Sequence, residues 1–346
     1  MTGRLVVVAP GWHSSVQGRG RVGVARWGVP RSGALDEEAL RLALGLVGGA
    51  DDDAGVEVLH GVFVADVADA AMRLAVGGVD AAMCVEAAGG TWAVAPWTAI
   101  DVHPGARVHV AAKGGPAYLV VAGGLAVPPV LGSRATAVRV SLGGWRGRTL
   151  AAGDALPVNS PSPATRTGPP LALEQAPRFP EGPLAVVVGP HLQHVTDDAV
   201  ARLTGEAWTV SADADRMGLR LSGPGLARAD GVVQLAPAGV VPGALQVPPS
   251  GQPILLLADC QTTGGYPVVA AVARVELPRA GRLRPGDRVR FEAISVGEAH
   301  ARLRAREAEL AAIASSTTRA TQPAPGAAAL WAENLVGGVV DASAFV

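Results

Sequence analysis

Residues 257–272 read LADCQTTGGYPVVAAV, a polar core set between two apolar runs. Gln261, Thr262, Thr263 and Tyr266 bring together an amide, two hydroxyls and a phenol, and Gly264 and Gly265 add backbone N–H groups that a ligand can approach closely. Hydroxyls and paired glycines are poor material for a buried strand. Donors fixed between two strands suit an amide or carboxylate, and if they converge on an oxygen that gains charge they form a set of the oxyanion-hole kind. The alternative is a tight turn, with the glycines supplying positive φ and the threonines decorating a strand end.

Three further loops carry groups of the same type. In WGVPRSGALD, Ser32 and Asp36 lie beside a predicted helix start, where backbone N–H groups attract anions. In GALQVPPSGQPI, Gln246, Ser250 and Gln252 surround rigid prolines in a shape suited to lining a cleft. In DRMGLRL, Arg216 and Arg220 either clamp a carboxylate or phosphate or pair with Asp213 and Asp215.

Other signals fail a physical check. GRGRVG, residues 18–23, matches the dinucleotide pattern, but Gly28 and Pro30 follow where a helix must begin. Lys113, the one lysine, sits in AAKGGP without the Ser or Thr of a phosphate loop. His191 and His194 do not complete a metal site, and Asp51–Asp53 read as a solvated turn, so no metal is expected. There is no G-x-S-x-G elbow.

The elements that must position these loops are mostly short strands. RLVVVAP, AMRLAVGG, RVHVAA, AYLVVAGGL, LAVVVG, PILLLAD and RVRFEAI end at Gly, Pro or Asp, which predicts a mainly β chain. Helical spacing appears in DEEALRLALGLVGG, with Ala39, Leu40, Ala43, Leu44 and Val47 on one face. A second helix opens at Thr196, and a third begins with a capping box, Ser295 to Glu298, and runs to about Ala314 as an amphipathic helix that packs on a barrel or a partner. VNSPSPATRTGPP marks a linker, so the expected organisation is a first domain over 1–157, a linker over 158–180, a second domain over 181–314, and a low-complexity segment and tail over 315–346. HPGARVHV and RPGDRVRF repeat a turn and strand in each half.

A chain of 346 residues, 49% hydrophobic, can bury two cores, and a net charge of −1 offers no basic field for nucleic acid or anionic lipid. Apolar runs broken by Gly and Pro give no span for a membrane, and Met1–Trp12 is too short for a signal segment. Two distant cysteines, Cys84 and Cys260, fit a reducing compartment, so a cytoplasmic protein is expected.

The ordered phrases SSVQGRGRVG, WGVPRSGALDEEA, LGSRAT, ADRMGLRL, GALQVPPSGQPI and DCQTTGGYP closely resemble the family of the 5-oxoprolinase C subunit, KipA and allophanate hydrolase subunit 2, over about residues 4–300. That family is also labelled biotin-dependent carboxyltransferase and is related to the urea carboxylase transferase domain. The resemblance implies two cyclophilin-like β-barrel domains with a few short helices and a C-terminal helix. It implies an ATP-dependent opening of 5-oxoproline to glutamate, with ATP shared with a sister protein, the B subunit or KipI homologue, and with a third component of the LamB/YcsF type. Relatives transfer carboxyl from biotin to urea, but Lys113 lacks a carrier hairpin, so no covalent biotin is expected here. On the resemblance Gln261, Thr262, Thr263 and Tyr266 are catalytic, and Gln17, Arg21, Ser32, Asp36, Arg216, Gln246, Gly264 and Gly265 bind substrate.

The sequence also departs from the family pattern. Gly18 replaces an acid, Pro237, Ala238 and Gly239 stand for Ser-Glu-Gly, and His191, Gln193 and Val195 stand for Gln, Asp and Phe. Leu44 and Gly49 replace asparagines, Pro116 an arginine and Arg282 a glutamine. Most of these losses are polar, which keeps open a KipA-type module that sequesters its sister protein, or a carboxyltransferase half acting on urea or another amide.

Overall fold

Alternation becomes strand in the first half of the chain, where Val62–Ala68 buries Phe63, Ala65 and Val67 and turns the residues between them outward. The computed structural model describes residues 3–160, 168–229 and 235–320. The chain is mainly β, as the short apolar runs predict, and divides into two units.

The first unit comprises residues 3–20, 37–177 and 310–320 among those described. One sheet runs Ala155–Pro157, Arg4–Ala9, Val62–Ala68, Arg107–Ala112, Ala81–Ala87, Gly90–Val94. A second runs Ser14–Gln17, Gly55–Val58, Ala117–Val121, Met72–Gly77, Thr98–Val102, Leu171–Leu173, Thr317–Arg319. Both contribute to one core that includes Leu5, Phe63, Leu74, Met83, Ile100, Val108 and Leu119. Helix α1, Glu37–Leu46, lies on this barrel, and Gly77 makes the approach possible: a Cβ there would meet the Ala39 carbonyl at 2.8 Å and the Ala43 methyl at 2.9 Å.

The second unit comprises residues 21–36 and 178–309. Its sheet runs Arg288–Val289, Trp208–Val210, Gly218–Ser222, Ile254–Leu256, Ala244–Gln246, Val268–Val272, Leu184–Val188, Phe291–Ala293, with one parallel pair at Leu184–Val188 and Phe291–Ala293. Trp208, Leu221, Leu245, Leu255 and Phe291 lie in its core. A small sheet pairs Ala238–Gly239 with Thr263–Gly264. The repeated phrases do take equivalent forms, a turn with a left-handed glycine at Gly105 or Gly286 followed by a strand.

The unit boundaries differ from the sequence expectation. Residues 21–36 belong with the second unit although they precede most of the first. The expected linker is ordered at its end: Leu171–Leu173 pairs with Thr98 and Ala99 on one side and Thr317–Arg319 on the other. Arg73, buried and 3.4 Å from Asp101, donates to the Pro169 carbonyl, while Gly168 N–H donates to Asp101. Residues 161–167, and the tail 321–346 with Trp331, lie outside the described residues.

Helix α2, Ala199–Gly205, starts three residues after Thr196, whose hydroxyl donates to Asp198. The four-residue helix α3, Leu277–Ala280, has no sequence signal beyond Pro278 near its start. Helix α4, Val296–Ser315, has the expected capping box, with Glu298 N–H donating to Ser295 Oγ and Ser295 N–H to Glu298. It covers one face, as expected of an amphipathic helix: Ala299, Leu303, Arg306, Leu310 and Ile313, spaced three or four residues apart, are buried or half-buried while the rest is exposed, and Arg306 sets a charge on the covered face. No helix among the described residues is long and apolar enough to cross a membrane.

Candidate functional site

The segment Ala258–Gly264 acts as a spine in the second unit, with successive residues fastening different loops. Ala258 carbonyl accepts from Ser32 N–H at 2.9 Å. Asp259 takes Arg216 bidentately, Nε to Oδ2 at 2.8 Å and Nη2 to Oδ1 at 3.2 Å, and Arg216 also donates to the Gly33 carbonyl at 2.7 Å. Gln261 Nε2 donates to Gln246 Oε1 at 3.3 Å. Thr262 carbonyl accepts from Val240 N–H, and Thr263 and Gly264 pair with Gly239 and Ala238. Consecutive Cα atoms lie about 3.8 Å apart, so Asp259 and Gln261 lie within roughly 8 Å of each other. Four sequence motifs of the second unit therefore meet on one strip of chain.

Two buried donors remain unused there. Gln246 Nε2 has no acceptor among the described residues, and neither does the Ser32 hydroxyl, with the two residues 2% and 3% exposed. Leaving such a group unsatisfied costs about 1–3 kcal/mol, and Ser32 also has a left-handed backbone at φ 53°. Strain and orphaned polar groups in one place point to a ligand rather than to packing. Gly264 serves by close approach, not as a turn residue: a Cβ there would lie 2.4 Å from Gln246 Nε2.

The remaining predicted residues divide. Thr262 and Tyr266 are half-buried and Thr263 is exposed, so the threonines do not form the dry donor pair expected of them. Gly265 carbonyl accepts from Leu235 N–H. Arg216 pairs with Asp259 and is an anchor of the Ser32 loop. Asp36, fully buried, is held by Arg282 at 2.5 and 3.1 Å, with Arg282 stacked on Phe179 at 4.1 Å. That pair is an ion pair of the fold, and the departure at Arg282 creates it. Gln252 likewise closes on Gly223 through both amide atoms.

Arg21 is buried beside this cluster; burial lowers its pKa and the Asp259 charge raises it in part. The cluster thus holds two guanidinium groups, Arg21 and Arg216, around the carboxylate of Asp259. Asp259 carries no local signal in the sequence because its partner is 43 residues away. Burial, with Asp259 adding to it, pushes the Cys260 thiol up to about 12, which makes it a packing residue at neutral pH. His191 Nδ1 accepts from Val268 N–H at 3.1 Å, which puts the neutral ring's proton on Nε2.

Gln17 is bonded within its own unit. It lies in the first unit, fully buried, donating to Ser15 Oγ and the Thr136 carbonyl at 3.0 and 3.1 Å. The SSVQ and LGSRAT motifs meet at this point, so Gln17 ties them together. At the lost acid, Gly18, a Cβ would sit 3.2 Å from the Asp53 carbonyl. Ala238, where the family pattern has its other acid, pairs in register with Gly264.

The chain is 32% identical over 299 residues to the C subunit of 5-oxoprolinase from Escherichia coli, covering 85% of this chain and 93% of the relative. It is 34% identical over 295 residues to the Haemophilus influenzae protein of the same name, covering 83% and 90%. Among solved structures it is similar to the K. lactis urea amidolyase, with a TM-score of 0.78 and 27% identity over 90% of this chain and 20% of that far longer chain. The carboxyltransferase domain model, subdomains A and B, matches residues 27–293, so the chain belongs to the carboxyltransferase-domain family that includes the C subunit of 5-oxoprolinase.

Proposed function

We propose that this chain is the C subunit of an ATP-dependent 5-oxoprolinase and works with a homologue of the B subunit on the lactam carbonyl of 5-oxoproline. The observation that supports this most is the strip Ala258–Gly264, beside which Gln246 Nε2 and the Ser32 hydroxyl offer hydrogen bonds to acceptors that the described residues do not provide. A ligand with a carbonyl and a carboxylate matches two such donors together with the Arg21 charge, Arg216 being already paired with Asp259. Urea offers the carbonyl alone, which is why 5-oxoproline is preferred.

Ring opening breaks the lactam C–N bond and adds water across it, hydroxyl to carbon and proton to nitrogen, while ATP hydrolysis supplies the driving force. In this reading the chain's own residues bind, orient and desolvate the lactam, and ATP is a co-substrate handled with the partner. Covalent biotin is not part of the scheme. The test is release of glutamate and phosphate from 5-oxoproline and ATP by the chain with and without the B-type partner. Turnover by the assembled complex alone is the expected result.

The second reading, a binding module that sequesters its sister protein, draws support from Ala238, since the lost acid would have stood opposite Gly264. Stable complex formation without turnover is its signature. Turnover recovered on Ala238→Glu in that complex would identify the missing acid as the cause.

A further inference from the structure

We infer that the side-chain amide of Gln246 donates through Nε2 to the carbonyl oxygen of the bound amide or lactam, with Gln261 as its positioning residue; this rests on the function proposed above. The strand Ala244–Gln246 carries a register slip between Leu245 and Gln246 against Val268–Val272, and such irregularities re-aim a side chain. The chain beyond is pinned, with Val247 N–H on the Pro267 carbonyl and Pro248 and Pro249 following.

The direction of the amide is then set from both ends. Gln261 donates to its oxygen, so the nitrogen turns away from Gln261. It lies against Gly264, where a Cβ would come within 2.4 Å of it. A strand, a loop and a glycine thus hold one orientation of a buried donor that has no acceptor among the described residues. Buried donors are almost always satisfied, so the acceptor arrives with the ligand.

Thr263 is the natural candidate for this role from sequence, but it is exposed, and a hydroxyl in water stabilises developing charge far less than a dry, preorganised donor. Hydrogen bonding from Nε2 orients the carbonyl and stabilises the negative charge that its oxygen gains as the carbonyl reacts. No proton is transferred.

The experiment uses the full chain assembled with its B-type partner, assayed with 5-oxoproline and ATP. Gln246→Leu is expected to lower kcat on the order of 10²-fold or more with KM changed little. Gln261→Leu is expected to lower kcat by a smaller factor, and the double variant to be no worse than Gln246→Leu. Gln246→Glu removes the donor at pH 8, but a protonated carboxyl again presents O–H, so its activity relative to the parent should rise as pH falls. Should the leucine variant fail to fold, the glutamate profile decides. Losses that add, that track melting temperature, or that leave the glutamate variant flat with pH overturn the inference.

If the parent complex does not turn over 5-oxoproline, thermal shifts with 5-oxoproline, urea and acetamide separate the two ideas. Stabilisation of the parent by any of the three that is lost in Gln246→Glu supports the Gln246 role and overturns the 5-oxoproline reading alone. Equal shifts in parent and variant, or none in either, overturn the Gln246 role.

Discussion

Ser32 combines features that a merely structural serine does not need. An L-residue in the left-handed region costs on the order of 1 kcal/mol, and its buried hydroxyl has no partner among the described residues. Ser32→Ala keeps the Cβ and its strain but removes the unsatisfied hydroxyl, so the free protein should melt no lower than the parent and be up to about 1 kcal/mol more stable, while the KM for 5-oxoproline rises about tenfold, the value of one hydrogen bond to a charged group. Ser32→Gly should lose the same affinity yet gain up to about 1 kcal/mol of stability beyond Ser32→Ala by relieving the strain. Kinetics and thermal melting of the two variants check both parts. The sequence makes Ser32 a candidate through its place before a helix, but neither its strain nor its burial is visible there. Asp36 has the same place in sequence, yet it belongs to Arg282, because an ion pair 246 residues apart leaves no local pattern.

At the scale of elements, strands and the capped helix are legible because period-2 burial and the Ser295–Glu298 box are local signals. The pairing of Thr263–Gly264 with Ala238–Gly239 is not, since both strands are two residues long. Turn chemistry also sets an acid limit on the first barrel. Asp154 accepts from Arg148 at 2.7 Å through each oxygen and from Ala151 N–H at 2.8 Å, just before the edge strand Ala155–Pro157. The Arg148 bond is the largest cause that holds the Asp154 carboxyl at about 2, below its ordinary 3.8. A carboxyl depressed in the folded state adds stability that is complete above pH 4 and is lost as pH falls through about 2. The shift corresponds to about 2 kcal/mol, reduced to about 1 because Arg148 is 40% exposed and water screens the pair. Urea unfolding of Asp154→Asn should therefore differ from the parent by about 1 kcal/mol at pH 6 and converge with it near pH 2.

For the whole molecule, composition and strand pattern point to two β-barrels, but no periodicity tells which barrel a loop joins. Residues 21–36 leave the first unit for the second, and they bring Arg21, Ser32, Gly33 and Asp36 to it. Within the second unit, buried Asp36 neutralises half-buried Arg282, the Gly33 carbonyl accepts from buried Arg216, and Gly281 lies so close to Leu35 that a Cβ would meet its carbonyl at 2.3 Å. A fragment spanning 178–309 would lack every one of these partners. Removing one side of a buried ion pair costs about 3–5 kcal/mol, and a domain has only about 5–15 kcal/mol in total. That fragment should accordingly be unfolded or aggregated at 25 °C, with no cooperative melting transition. A rearranged chain with residues 21–36 joined by a flexible linker ahead of 178–309 restores the Arg282, Arg216 and Ala258 bonds and should melt cooperatively. Circular dichroism melting of the two fragments decides the matter: a cooperative transition in 178–309 alone would mean that the first segment merely covers a barrel that is already complete.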